Sequence, residues 1–82
     1  MPVIARFYGI LTKMYFKEHG TPHFHAIYGE FNGVFDIRTC KMTEGDLPPR
    51  AKKLVKEWAT KYQDSLLEMW EKRQFKSLPG LE

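Results

Sequence analysis

Short runs of apolar and aromatic residues fill the first half of the chain. The segments VIARFY at 3–8 and ILTKMYF at 10–16 are rich in β-branched and aromatic side chains, which favour strands. Gly9 separates them, as a tight turn or a bulge would. A connection follows over 17–22, where a glycine and a proline interrupt the strand pattern. The pattern predicts two strands and then a loop.

Two further runs flank the dipeptide Asn32-Gly33, which is the strongest hairpin signal in the sequence. A type I′ turn needs positive φ at both central residues, and asparagine followed by glycine is its preferred pair. A two-residue loop here would pair Phe31 with Val34 and Tyr28 with Ile37. The dipeptide therefore predicts both a hairpin and its register.

Alternation along these strands sorts their side chains between two faces. The predicted core face carries Phe24, Ala26, Tyr28, Phe35 and Ile37. The opposite face carries His23, His25, Ile27, Asp36 and Arg38. Both strand histidines are therefore expected to point away from the main core.

The second half has helical periodicity. Apolar residues recur every three or four positions at Ala51, Leu54, Val55, Trp58, Tyr62, Leu66, Met69 and Trp70. A single helix over 48–74 would be about 40 Å long at 1.5 Å per residue, which is long for so small a domain. We therefore expect a break near 63–65, where Asp64 or Ser65 could cap a second helix.

The order of elements predicts an α+β fold in a single domain over 1–82. Four or five N-terminal strands, at about 3–44, form a small antiparallel sheet. A C-terminal helix or helix pair, at about 48–74, packs on one face, and a short tail covers 75–82. Both tryptophans fall on the apolar helix stripe and are predicted to be core residues.

Composition narrows the class of protein. One cysteine excludes an internal disulfide and a four-cysteine zinc site, and it fits a reducing cytoplasm. No signal peptide pattern is present, and no apolar run approaches the roughly 20 residues that span a bilayer. A net charge of +3 permits an RNA or DNA partner. Because acidic residues are interleaved with the basic ones in the helical half, a solvated helix face is the simplest interpretation.

The three histidines are the sharpest chemical feature. His23 and His25 are two apart on a strand, so their side chains share a face and could reach a common ion or phosphate. With His19 they could bind Zn or Ni. Alternatively, two histidines could cleave RNA by acid–base catalysis without a metal, helped by Arg6, Tyr15 and Arg38. The third interpretation is structural, with the histidines bonding to the backbone.

Cys40 could extend a metal set if the strand pairing continued far enough to bring it opposite His25. It also falls where the chain should turn. The turn interpretation makes this cysteine incidental to any site.

Several ordered blocks of the sequence resemble a small prokaryotic family, domain-of-unknown-function family 4160. The blocks are Arg6-Phe7-Tyr8-Gly9, Pro22-His23-Phe24-His25-Ala26, Tyr28-Gly29-Glu30, Asp36-Ile37, Leu47-Pro48 and Trp58-Ala59. The resemblance implies a short bacterial protein, often encoded beside another small protein and proposed as a toxin–antitoxin component. Family members often have glycine where Cys40 stands, which favours the turn interpretation.

The sequence predicts a cytoplasmic protein away from membranes that binds a partner protein, RNA, or both, and the resemblance implies a toxin–antitoxin association and a partner encoded nearby. Histidine-based ribonuclease activity is the catalytic hypothesis. The alternatives are a non-catalytic metal-binding module and a plain antitoxin or regulatory adaptor, and a homo-oligomer stays open. The candidate site has His23 and His25 as catalytic residues and, for binding, Arg6, Tyr8, His19, Glu30, Asp36 and Arg38.

Overall fold

The structure, a computed structural model, describes residues 3–15 and 20–81. Within them the chain forms five strands followed by two helices, which confirms the α+β prediction. The strands pair antiparallel in chain order to form one sheet. Their bounds are β1 Val3–Phe7, β2 Ile10–Lys13, β3 His23–Tyr28, β4 Phe31–Asp36 and β5 Met42–Asp46, and those of the helices are α1 Pro49–Lys61 and α2 Gln63–Lys72.

The turn between β1 and β2 is the tight turn expected at Gly9. Phe7 pairs with Ile10, so Tyr8 and Gly9 form a two-residue loop. Their φ values of 49° and 79° are both positive, as a type I′ turn requires. Glycine adopts this backbone freely, but a tyrosine there costs about 1–2 kcal/mol.

The turn between β3 and β4 lies at Gly29-Glu30, so the predicted Asn32-Gly33 turn is wrong. Tyr28 pairs with Phe31, where the prediction paired Phe31 with Val34. Gly29 has a φ of 57° and occupies the first central position, where a type II′ turn favours glycine.

Packing explains why Asn32-Gly33 belongs to β4. A Cβ on Gly33 would lie 2.8 Å from the Met42 sulfur and 3.3 Å from the Leu47 side chain. The bare glycine thus leaves room for two apolar side chains against the strand. A Cβ on its cross-strand partner Gly45 would in turn overlap the Asn32 carbonyl. These two glycines allow β4 and β5 to approach closely.

The error in register left the assignment of the two faces intact, because the strands are displaced by an even number of residues. Phe24, Ala26, Phe35 and Ile37 are all buried, as predicted. Tyr28 is 38% exposed because it stands at the end of β3. We call the buried side of the sheet the inner face and the opposite side the outer face.

The helices complete the core on the inner face. Trp58 of α1 is fully buried, stacks on Phe7 at 5.4 Å between ring centroids and meets Phe24 edge-on at 5.5 Å. Trp70 of α2 is also buried, so both tryptophans are core residues as predicted. The other buried helix residues are Ala51, Val55, Ala59, Leu66 and Met69.

The helical region breaks at Tyr62, one residue before the expected interval. Neither Asp64 nor Ser65 caps α2. The N-cap residue is Tyr62, and its side chain makes no capping hydrogen bond. The Tyr62 N–H donates to the Trp58 carbonyl at the end of α1, and the Leu66 N–H donates to the Tyr62 carbonyl at the start of α2. Tyr62 thus ends one helix and begins the next. None of the described helices is long and apolar enough to cross a bilayer.

The C-terminal tail is docked although it has no regular structure. The Leu78 N–H donates to the Ile4 carbonyl at 2.8 Å, and Trp58 Nε1 donates to the Pro79 carbonyl at 2.8 Å. A Cβ on Gly80 would lie 2.7 Å from the Arg6 carbonyl, so the tail passes directly against β1. The tail therefore joins the first strand to the helix layer.

The close approach of β4 and β5 can be tested with alanine at two glycines. Gly29 and Gly45 both have positive φ, but no other group lies within 4 Å of a Cβ built at Gly29. We expect Gly29→Ala to lower the free energy of unfolding by about 1–2 kcal/mol through backbone strain. We expect Gly45→Ala to cost about 1–3 kcal/mol more, because its Cβ overlaps the Asn32 carbonyl. If urea denaturation showed the same loss of unfolding free energy for Gly29→Ala and Gly45→Ala, the observed register of β4 and β5 would be contradicted.

Candidate functional site

The outer face carries both strand histidines, half-buried, beside groups of both charges. Lys13 pairs with His25, His25 with Val34, and Val34 with Glu44, so these four side chains cross the face in one row. The next row runs from Arg6 through Leu11, Ile27 and Asn32 to Asp46. The face is therefore basic on its β1–β2 side and acidic on its β5 side.

The two histidines belong to a continuous series of ring contacts. We call the members of this series the histidine cluster: Tyr15, His25, His23, Trp70 and Arg73. Tyr15 meets His25 edge-on with ring centroids 4.7 Å apart. The rings of His25 and His23 are 5.6 Å apart, and His23 lies 4.8 Å from the ring of Trp70. The Arg73 guanidinium stacks over Trp70 at 4.3 Å. Two titratable rings thus lie side by side with an arginine at one end of the series.

Sequence reasoning named Tyr15 only as a helper and missed Lys13, Trp70 and Arg73. Lys13 could have been placed by alternation had the β2–β3 register been known. The contact between Trp70 and His23 joins residues 47 positions apart, so no local pattern indicated it. Arg73 reaches the cluster because α2 ends there in a left-handed residue with a φ of 54°.

The ring of His23 is held by its own chain. Its Nδ1 lies 2.8 Å from the Thr21 carbonyl oxygen. Because a carbonyl oxygen only accepts, Nδ1 carries the proton of this hydrogen bond. Nε2 is then the basic nitrogen of the neutral ring.

Asp36 is the cross-strand partner of His23, but its carboxylate stabilises the turn between β4 and β5. Its Oδ1 accepts hydrogen bonds from the Arg38 N–H at 2.7 Å and from the Thr39 N–H at 3.1 Å. Gln63 anchors the same turn by donating to the Arg38 carbonyl at 2.9 Å. Asp36 and Arg38 therefore shape the rim of the site through the β4–β5 turn.

Cys40 belongs to that turn. Its φ is 60°, a backbone conformation that glycine adopts without strain, and its side chain is buried. Val34, not Cys40, is the cross-strand partner of His25. The turn interpretation of the sequence is thus correct, and the metal set with His25 is not formed.

The remaining predicted site residues do not join the cluster. Tyr8 and Glu30 lie in the two hairpin turns, at the opposite end of the sheet from His23. Arg6 lies on the outer face, in the row next to that of His25. His19 lies outside the described residues, so its part in the site stays a prediction.

A shallow groove of about 260 Å³ runs beside His23. It is lined by Gly20, Thr21, His23, Val34, Asp36, Thr43 and Glu44. Within residues 3–15 and 20–81, no group of three or more His, Cys, Asp or Glu side chains could hold a metal ion. The metal alternative would therefore need a ligand such as His19 from the rest of the chain.

Comparison with known proteins identifies the family. The protein-family model described as "Domain of unknown function (DUF4160)" matches residues 9–71 of the chain. The chain belongs to this family. The matched part of the DUF4160 domain extends from the β1–β2 turn into α2 and includes both histidines of the cluster. No curated protein and no solved structure matches the chain.

The orientation of His23 gives a spectroscopic prediction. In the folded protein the neutral ring should be the Nδ1–H tautomer, because the Thr21 carbonyl holds that proton. A long-range ¹H–¹⁵N spectrum, recorded about two pH units above the usual histidine pKa of about 6.5, reports the tautomer. The urea-unfolded chain is the control, since free histidine prefers Nε2–H. An Nε2–H tautomer of His23 in the folded state would contradict the observed hydrogen bond.

Proposed function

We propose that this DUF4160 protein is a toxin–antitoxin-associated protein that binds RNA at the histidine cluster and cleaves it by acid–base catalysis. One observation supports this most strongly. Two imidazoles lie 5.6 Å apart on the outer face, and a backbone carbonyl orients one of them. Side chains so placed can serve as a base and an acid on either side of one phosphate.

The chemistry needs no group beyond the two rings and the RNA. His23, through Nε2, takes the proton of a ribose 2′-hydroxyl. The 2′-oxygen then bonds to phosphorus while the bond from phosphorus to the 5′-oxygen breaks. His25 in its charged form gives its proton to that leaving oxygen. The products are a 2′,3′-cyclic phosphate and a 5′-hydroxyl end.

Charge on the outer face favours one path for the strand. Lys13 lies directly across from His25 and can neutralise a phosphate, and Arg6 continues the basic side. Glu44 and Asp46 repel phosphate from the β5 side. The RNA backbone would therefore reach the histidines of β3 from the side of the outer face that β1 and β2 form.

A toxin role would follow from this chemistry, because cleavage of cellular RNA inhibits growth. The half-buried side chains of Leu11, Ile27 and Val34 lie in the same rows as the charged groups. A partner protein that covered these side chains would also cover His25. Neutralisation by such a partner would then need no change in the fold.

Removing both imidazoles should abolish cleavage. We expect His23→Ala/His25→Ala to lower the rate on a single-stranded RNA at least about 100-fold, the usual contribution of acid–base catalysis. The assay contains a chelator so that metal-dependent nucleases are silent. Asn32→Ala is the matched control, because Asn32 lies exposed in the neighbouring row and has no acid–base chemistry.

Two outcomes would contradict the proposal. One is a folded double variant that cleaves RNA and inhibits growth as the unchanged protein does. The other is an uncleaved RNA together with stoichiometric zinc or nickel in protein purified without a histidine tag, with the metal lost in the double variant. The second result would support the metal-binding alternative.

A further inference from the structure

Helix α1 concentrates the positive charge of the chain. It carries five basic residues, Arg50, Lys52, Lys53, Lys56 and Lys61, and all of them are exposed. Its one acidic residue is Glu57, so α1 has a net charge of +4. The whole chain has a net charge of +3, which leaves −1 for everything else.

The break at Tyr62 divides the charged residues between two helices. Glu57 lies on α1, and the other three acidic residues of the helical half, Asp64, Glu68 and Glu71, lie on α2. Glu68 is already paired with Lys72 of the same helix at 3.4 Å. The basic residues of α1 and most of the acidic residues therefore lie on different helices.

An aromatic opening lies beside the first turns of α1, and we call it the tyrosine cleft. Its volume is about 340 Å³, at the lower end of the roughly 300–1,000 Å³ of ligand pockets. Tyr8 and Tyr28 line it together with Arg50 and Leu54 of the helix. Tyr8 is 55% exposed and Tyr28 38% exposed, so both rings are accessible.

The turn itself does not call for a tyrosine. Position 8 has a φ of 49°, where asparagine or glycine would be preferred, and more than half of the surface of Tyr8 is exposed. The chain thus displays an aromatic ring at a strained position next to its most basic element. Strained residues of this kind concentrate at functional sites.

We propose that α1 and the tyrosine cleft form a binding surface for single-stranded RNA. The lysines of α1 would follow the phosphates while the cleft takes an unstacked base against the ring of Tyr8. Basic side chains beside exposed aromatic rings are what single-stranded nucleic acid binding requires, and a duplex offers no free base to stack. An acidic protein could meet the lysines but would leave the tyrosine cleft unused.

This surface is separate from the histidine cluster. Tyr28 and His23 are at opposite ends of β3, about 17 Å apart at the usual strand rise. The choice of RNA over DNA rests on the proposed function, since only RNA has the 2′-hydroxyl that the histidines would act on. The surface itself can exist without that chemistry.

Binding is measured by fluorescence anisotropy with a labelled 12-nucleotide oligouridine, using the His23→Ala/His25→Ala protein so that the probe stays intact. We expect Lys53→Glu/Lys56→Glu to raise the Kd at least 10-fold. The slope of log Kd against log salt should fall by about 1.4, at about 0.7 per lost phosphate contact. Lys41→Glu/Lys76→Glu makes the same change in charge at exposed lysines outside α1 and should alter the Kd less than 2-fold.

A second variant separates binding from folding. Tyr8→Asn places the preferred residue in the type I′ turn, so the unfolding midpoint should stay unchanged or rise. Loss of the ring should nevertheless raise the Kd for RNA at least 5-fold. A stable Tyr8→Asn protein with unchanged affinity would overturn the cleft, and equal effects of the two lysine pairs would overturn the α1 surface.

Two competitor ligands test the class of partner. We expect polyglutamate to displace the oligouridine poorly, and a DNA oligomer of matching length to compete with it, because lysines and aromatic rings recognise phosphates and bases in either nucleic acid. Equal displacement by polyglutamate would overturn the RNA proposal in favour of acidic proteins. If RNA affinity depends on α1 while the unchanged protein cleaves no RNA, the proposed function fails and the binding surface stands.

Discussion

The burial of Trp58 is the interaction on which the rest of the structure depends. Its ring contacts Phe7 of β1, Phe24 of β3 and Tyr62 at the helix junction, with centroids 5.4, 5.5 and 6.0 Å away. Its Nε1 donates to the carbonyl of Pro79 in the tail. One side chain thus ties together sheet, helices and tail, which a chain of 82 residues needs because its core is small.

This arrangement places most of the core and the candidate site on different faces of the sheet, and Trp70 belongs to both. The inner face is committed to the core, so the outer face can carry His23 and His25 without loss of packing. The bend at Tyr62 lets α2 bring Trp70 and Arg73 to the histidines while α1 keeps its basic surface exposed. The histidine cluster and the tyrosine cleft beside α1 thus lie at opposite ends of β3 and differ in their chemistry.

Alternation and periodicity in the sequence predicted the α+β fold, the two sheet faces and the break in the helical region. They failed at Gly33, because its closeness to Met42 and Leu47 outweighed the turn preference of Asn32-Gly33. The faces survived that error because the register changed by an even number of residues. The role of Arg73 could not be predicted, since it depends on where α2 ends and turns. The separation of charge between α1 and α2 follows from the predicted break, because the basic residues precede it and most of the acidic residues follow it.

The most direct test of the account is whether RNA reaches the histidines. Imidazole resonances of protein labelled with ¹³C and ¹⁵N can be followed during titration with a 2′-O-methyl oligouridine, which cannot be cleaved. If RNA binds at both surfaces, the resonances of the His23 and His25 rings will shift together with those of the backbone amides of α1. Saturation that moves α1 and leaves both imidazoles unchanged would contradict a histidine site for RNA.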